Sequence, residues 1–273
     1  MNIINIYSPF KNNKLTYILD FVLGEVLDLK YVLNPSMPQS THHLSYGGTS
    51  KREGIHITSD GFLDQKNIFE YSATLPKKLR LEGNTIAFDC FAAIFFLLSR
   101  AEEYDNYDPD QHGRFKSSTS ILYRQGHLQT AIVDRWISDL KAIMENMFSI
   151  DIKYNRSYAF QSTVDIDQFY AFKHKPAFIQ VGSLIRDILK FNLARISARM
   201  ANQDPYDTFD DLSKLHAELG IEPMYFVLCS PRGPYDKNLS PTSRIFGESL
   251  NKLKPNNIGL HPSYQSAQSK SGI

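Results

Sequence analysis

Tyr158-Ala-Phe-Gln-Ser-Thr-Val-Asp-Ile-Asp167 opens on aromatic residues, gains β-branched ones, and ends in two carboxylates. The stretch reads as a strand running out into a loop. Successive side chains on a strand point to opposite faces, so Asp165 and Asp167 project to the same side, about 7 Å apart. That arrangement suits a divided task, in which one carboxylate takes a proton and the other holds a metal ion. A solvated strand end accounts for the same residues, since Asp is common where strands turn into loops. A second stretch, Ile258-Gly-Leu-His-Pro-Ser-Tyr264, reads as another short strand with a potential metal ligand at its C-terminal end.

From Tyr158 onward the pattern alternates between strand and helix. A long helical stretch is expected from Ala177 to Asn202, with Leu184, Ile185, Ile188 and Leu189 as an apolar patch. Its basic residues Lys190, Arg195 and Arg199 read as a solvated face. Asp207 or Thr208 can cap the next helix, Phe209, Leu212, Leu215 and Leu219 form its buried stripe, and Gly220 stops it. Pro223–Cys229 reads as a buried strand, Ser230–Ser240 as a loop, Thr242–Leu253 as a helix and Asn257–Leu260 as a third strand. Strands joined by helical crossovers lie parallel and finish on one edge. Asp165 and Asp167, the loop Tyr235-Asp-Lys-Asn238 and His261 therefore converge there, the edge on which β/α barrels build active sites.

Upstream, Asn2–Tyr7 reads as a first strand. Lys14–Leu29 reads as an amphipathic helix with Leu15, Ile18, Leu19, Val22, Leu23, Val26 and Leu27 on one face. The Pro-, Ser-, Gly- and His-rich segment that follows, to about Ser50, reads as irregular, with His42-His43 on an exposed loop. Short strands are expected at Gly54–Ile57 and Gly61–Leu63. Phe88–Glu103 is apolar nearly all round and reads as a central buried helix. The acidic loop after it lacks the glycine and closing Glu of a calcium loop, so Asp105, Asp108 and Asp110 read as bonded to backbone amides. Ile132–Phe148 returns to helix, with Trp136, Leu140, Ile143, Met144 and Met147 along a stripe. The order of elements predicts an α/β or α+β domain over residues 1–152.

Composition sets outer bounds. The 273 residues suffice for two domains, with 42% hydrophobic and 22% charged residues and a formal net charge of +1. A balance so near zero gives no support for nucleic acid or an acidic membrane surface as partner. No apolar run reaches the ~20 residues of a membrane span, and Met1–Tyr7 lacks the basic start of a signal peptide. A cytoplasmic location is the default expectation. Cys90 and Cys229 both sit among apolar neighbours and read as buried thiols.

The Thr163–Asp167 stretch resembles the first motif of the polysaccharide deacetylase (NodB-homology) family, in which an Asp pair follows a Thr and one hydrophobic residue. Here Ile166 separates the two carboxylates. Ile258–Ser266 is similar to that family's second motif, which begins with a metal-binding His. The resemblance implies that residues 157–273 are the first part of a (β/α) barrel-like deacetylase domain. It further implies that Asp165 is the catalytic base and that Asp167 and His261 are ligands of a divalent metal, zinc or cobalt. The substrate class it implies is N-acetylated sugars or glycoconjugates, with hydrolysis at a C–N amide bond. Asp236 and Asn238, at the same mouth, are expected to bind the carbohydrate, and a turn role for them stays open. The family's second His falls at Gln265, so the usual ligand set is incomplete. Its later motifs, a substrate-binding Arg and a general-acid His, have no counterpart before Ile273, so the chain is expected to be part of a longer protein. If the chain does end at Ile273, the third strand should be covered by the N-terminal domain or a second copy of the chain, or be poorly ordered. Phe88–Phe115 and Val133–Trp136 resemble a companion domain that precedes some bacterial deacetylase-like domains and has no established activity. The reading from another class is a non-catalytic carbohydrate-binding or assembly module.

Overall fold

Apolar runs in the first part of the chain form a five-stranded sheet, every pair of which is parallel. The computed structural model of the protein describes residues 3–36, 43–48, 54–65, 71–104, 108–154, 157–264 and 266. It divides into two compact units, Met1–Ser157 and Tyr158–Ile273.

In the first unit, β1 (Ile3–Tyr7) lies between β2 (Lys30–Asn34) and β3 (His43–Tyr46), followed outward by β4 (Ile55–Ile57) and β5 (Thr85–Ile86). Between β1 and β2 runs α1 (Asn13–Leu19), started by Asn12, whose Oδ1 accepts from the Leu15 N–H at 2.9 Å. The coil then widens into a π-helix over Asp20–Val26. The sequence explains the change. Leu15, Leu19, Leu23 and Leu27 recur every fourth residue, as do Ile18, Val22 and Val26, and all are 2% exposed or less. A spacing of four drifts by about 40° per step on an ideal α-helix. Wider winding keeps both rows against the sheet, with Leu27 N–H donating five residues back to Val22 O at 3.2 Å.

The apolar stretch near Phe88 becomes α2 (Cys90–Leu98), whose residues Cys90–Phe96 are all buried. Asp89 caps it. Then come α3 (Ile121–Arg124) and α4 (Ile132–Phe148), whose Trp136 is fully buried and donates its indole N–H to Pro76 O at 2.8 Å. Asp110 behaves as the sequence implied, accepting from the amides of His112 and Arg114 at 2.8 and 3.0 Å; Asp105 lies outside the described residues.

Two expectations for this unit are corrected. Gly61–Leu63 is a turn, with Phe62 and Leu63 packed into the core. The stretch to Ser50 is not irregular throughout, because it supplies β2 and β3. His43 is 1% exposed within β3, a strand buried on both faces, and not on an exposed loop; His42 lies outside the described residues.

The second unit is a three-stranded parallel sheet in the order β6 (Thr163–Ile166), β7 (Met224–Leu228), β8 (Asn257–His261). Between β6 and β7 lie α5 (Ala177–Leu189), α6 (Leu193–Met200) and α7 (Phe209–Leu219), and α8 (Arg244–Lys252) joins β7 to β8. Phe169, Tyr170, Phe209, Tyr225, Val227, Phe246 and Leu253 form its core with Ile166. Gly220 ends α7 in the left-handed conformation at φ 64°.

Here too the sequence reading needs correction. The single helix expected over Ala177–Asn202 is broken at Phe191, where φ is +50°, and Asn192 caps a new helix by accepting from the Arg195 N–H. Leu215 and Leu219 of the expected buried stripe are exposed, and so is Cys229. Arg199 is no solvated residue, since its side chain is only 10% exposed against Asp187. The sheet is small, so α7 needs only its first apolar residue, Phe209, to reach the core.

Candidate functional site

β6 and β8 both finish on the same edge, and each delivers part of a polar cluster. Asp165 lies within β6, Asp167 follows its last residue, and His261 is the last residue of β8. The His261 Nε2 stands 3.7 Å from Asp167 Oδ1 and 4.0 Å from Asp165 Oδ2. The other ring nitrogen, Nδ1, donates to Pro262 O at 2.9 Å. A carbonyl only accepts, so the proton of the neutral ring sits on Nδ1 and the Nε2 lone pair faces the carboxylates. Both carboxylates are open to solvent, their side chains 62% and 73% exposed, while the imidazole is 31% exposed. Beside them an open cleft of about 350 Å³ is lined by Asp165, Asp167, Gln168, Tyr206, Thr208 and Phe209, among others.

Donor geometry tests whether a metal suits this place. Two ligands of a tetrahedral zinc, each at about 2.1 Å, stand roughly 3.4 Å apart. The Asp167–His261 separation of 3.7 Å is near that value, and the Asp165–His261 separation of 4.0 Å is further from it. At 3.7 Å the gap is also too long for a hydrogen bond. The Asp167–His261 spacing thus lies within a few tenths of an ångström of a zinc-ligand pair. Among the described residues no group of three or more His, Cys, Asp and Glu side chains is placed to hold a metal ion. Gln265 lies outside the described residues.

Local sequence sets this geometry. Gly259 stands opposite Phe226 in the β7–β8 register, and a Cβ there would meet the Phe226 ring at 2.7 Å. The glycine lets the ring lie across β8 two residues before His261. Asp236 and Asn238, expected at the mouth as carbohydrate ligands, are 7% and 5% exposed. Asn238 Oδ1 accepts from Phe169 N–H at 3.2 Å and Leu239 N–H at 2.9 Å, and its Nδ2 donates to Leu228 O at 2.9 Å. Asp236 Oδ1 accepts from Tyr264 N–H at 3.2 Å. One thus ties the loop after β7 to the Asp167 loop, and the other ties it to the His261 loop.

Two further features escaped the sequence reading. Asp204, 6% exposed, accepts backbone N–H groups from Ala171, Phe172, Lys173 and Tyr206 at 2.7–3.1 Å, fixing the segment that follows Asp167. Burial pushes its carboxyl upward, but the backbone donors outweigh burial and hold it below the usual carboxylate range. An Asp before Pro205 was the available signal, since Asp side chains bond to turn amides. Tyr235 and Tyr264 bring their ring centroids to 4.2 Å beside these loops, with Tyr235 61% exposed.

No curated protein and no solved structure matches the chain. Residues 4–149, more than half of the 273, match a family of unknown function (DUF7033), and the chain belongs to that family.

Proposed function

We propose that the second unit is a metal-dependent hydrolase that removes acetyl groups from N-acetylated sugars or glycoconjugates. Its parallel strands are then the opening of a β/α barrel-like deacetylase domain. The observation that carries the reading is the approach of His261 Nε2 to Asp167 Oδ1 at 3.7 Å, close to the spacing of two ligands on one cation. Asp167 and His261 would hold a divalent ion, zinc or cobalt. Such an ion, when bound, polarises the amide carbonyl and acidifies water. Asp165, further from the imidazole and open to solvent, accepts the proton as the water oxygen adds to the carbonyl carbon. The C–N bond then breaks as the amine nitrogen takes that proton back from Asp165, and acetate and the amine leave. Asp236 and Asn238 serve the substrate by holding the two motif loops in place.

Calorimetric titration with zinc and with cobalt tests this. Asp167→Asn and His261→Ala should each weaken binding by about tenfold or more, and Asp165→Asn should leave it nearly unchanged. Titrations indifferent to both Asp167 and His261 would end the metal-hydrolase reading. A non-catalytic carbohydrate-binding module would then remain, favoured by the exposed Tyr235 ring beside Tyr264, on which a sugar can stack.

A further inference from the structure

The helical hairpin of α5 and α6 carries charge in its seam and apolar side chains on its outside. The buried residue of α5 is Asp187, and α6 has none. Asp187 Oδ2 meets Arg199 Nη2 at 3.1 Å and Arg195 Nε at 3.6 Å, and Arg199 also donates to Ser183 Oγ at 2.6 Å. Meanwhile Phe178 is 77% exposed, Ile185 52%, Ile188 53%, Leu189 74% and Phe191 84%. A hairpin packed for water does the reverse, closing on its apolar stripe and turning its charges out. Single exposed apolar residues are ordinary, whereas a contiguous patch of this extent marks a surface that meets something apolar.

Charge around the patch identifies the partner. Residues 173–200 contain six Lys and Arg against a single acid, Asp187, although the whole chain carries a formal charge of only +1. With Arg195 and Arg199 engaged by Asp187, and Lys175 donating to Gln168 Oε1 at 2.8 Å, three remain: Lys173 before α5, Arg186 within it and Lys190 at its C-cap. Next to the apolar face, Lys173, His174 and Arg199 share a cleft of about 620 Å³ with Phe172, Val181 and Leu184. A second copy would bring one basic rim against another. At 13 residues α5 is too short to cross a bilayer but long enough to lie along its surface.

We propose that the α5–α6 hairpin docks on an anionic lipid surface. Its apolar side lies among the acyl chains, and Lys173, Arg186 and Lys190 lie against lipid phosphates. The near-neutral total charge hides this local excess, so the composition gives no hint of it.

Flotation of the full chain with vesicles tests the proposal, using phosphatidylcholine alone and phosphatidylcholine with about one-third phosphatidylserine. Binding should require the anionic lipid and weaken with salt. Ile185→Ser with Ile188→Ser should reduce it by about tenfold or more, and both positions are exposed enough for the fold to persist, which circular dichroism verifies. Arg186→Gln and Lys190→Gln should each weaken it by about fivefold. Equal binding to both vesicles, no binding to either, or indifference to the isoleucine pair would overturn the proposal. So would light scattering that shows a dimer dissolved by the same pair, because the face would then belong to a second copy.

Discussion

His261 reaches to within 3.7 Å of Asp167 although their strands are not neighbours. β7 stands between them, so the two backbones are separated by two strand spacings, roughly 9.5 Å. The side chains close that gap beyond the end of β7, whose following loop is tied to both neighbours by the bonds of Asn238 and Asp236 to Phe169 and Tyr264.

The proposed hydrolase gives these carboxylates two separate roles. Asp165→Asn should abolish hydrolysis of an N-acetylated sugar while metal affinity stays within about twofold, since a base acts by taking a proton. Asp167→Asn should lower both together. Turnover assays run beside metal titration on the same preparations distinguish these outcomes. Loss of metal binding in the Asp165 variant would place that carboxylate among the ligands instead.

Asn238 should prove more important to the fold than to any ligand. Its amide makes three hydrogen bonds, accepting from Phe169 and Leu239 and donating to Leu228 O. Asn238→Ala leaves those backbone groups unpaired and should cost about 2 kcal/mol or more in chemical denaturation of the second unit. Asn238→Asp keeps the acceptors but cannot donate to Leu228 O, so its cost should be nearly as large. A variant as stable as the parent, with weaker sugar binding, would return Asn238 to the role of substrate ligand.

Much of the second unit was legible because short periods dominate it. The β-branched and aromatic runs at Thr163, Met224 and Asn257 announced strands, and the helical segments between them required parallel pairing. The juxtaposition of Asp165, Asp167 and His261 follows from that topology. What stayed hidden depends on partners distant in sequence. Nothing near Asp236 or Asn238 reveals that their side chains turn inward, since the groups they bond belong to β7 and to the two motif loops. The break at Phe191 was missed because the helical period continues through it, although Asn192 is an ordinary cap. His43 was misplaced because a Pro- and Ser-rich context suggested a loop, and the apolar strands that bury it lie elsewhere in the chain.

The first unit should lose stability as pH rises. Asp89 is 5% exposed, and burial pushes its carboxyl up to about 7, more than its bonds from the Ala92 and Asp60 amides and the Tyr46 hydroxyl draw it down. A carboxyl raised in the folded state binds a proton there that the unfolded chain has already released. Folding is thus favoured below about pH 4 and loses that contribution as pH climbs toward 7. Trp136, the one tryptophan in the sequence, lies buried in this unit, so its fluorescence during thermal unfolding reports on it specifically. The midpoint should fall across that window, and Asp89→Asn should flatten the slope. A midpoint that rises between pH 4 and 7 in the parent but not in the variant would refute the assignment.

Asp204 should give the second unit the opposite response. Burial raises this carboxyl, but the amides of Lys173, Phe172, Ala171 and Tyr206 lower it further, so its folded value lies below the usual one. A depressed carboxyl contributes stability that is present above the unfolded value of about 3.9 and is lost as pH falls through the folded value. Acid should therefore loosen residues 171–173 first, since their amides are the donors. Hydrogen exchange read by mass spectrometry should show these amides protected near neutrality and exposed in acid. Asp204→Ala should remove the protection at every pH and cost about 3 kcal/mol, because it strips the acceptor from four buried or part-buried amides. Asp204→Asn keeps one acceptor oxygen and loses the charge, so it should fall between the two and show no acid transition of its own. Unchanged exchange at residues 171–173 in the alanine variant would mean that the segment after Asp167 is held by something other than Asp204.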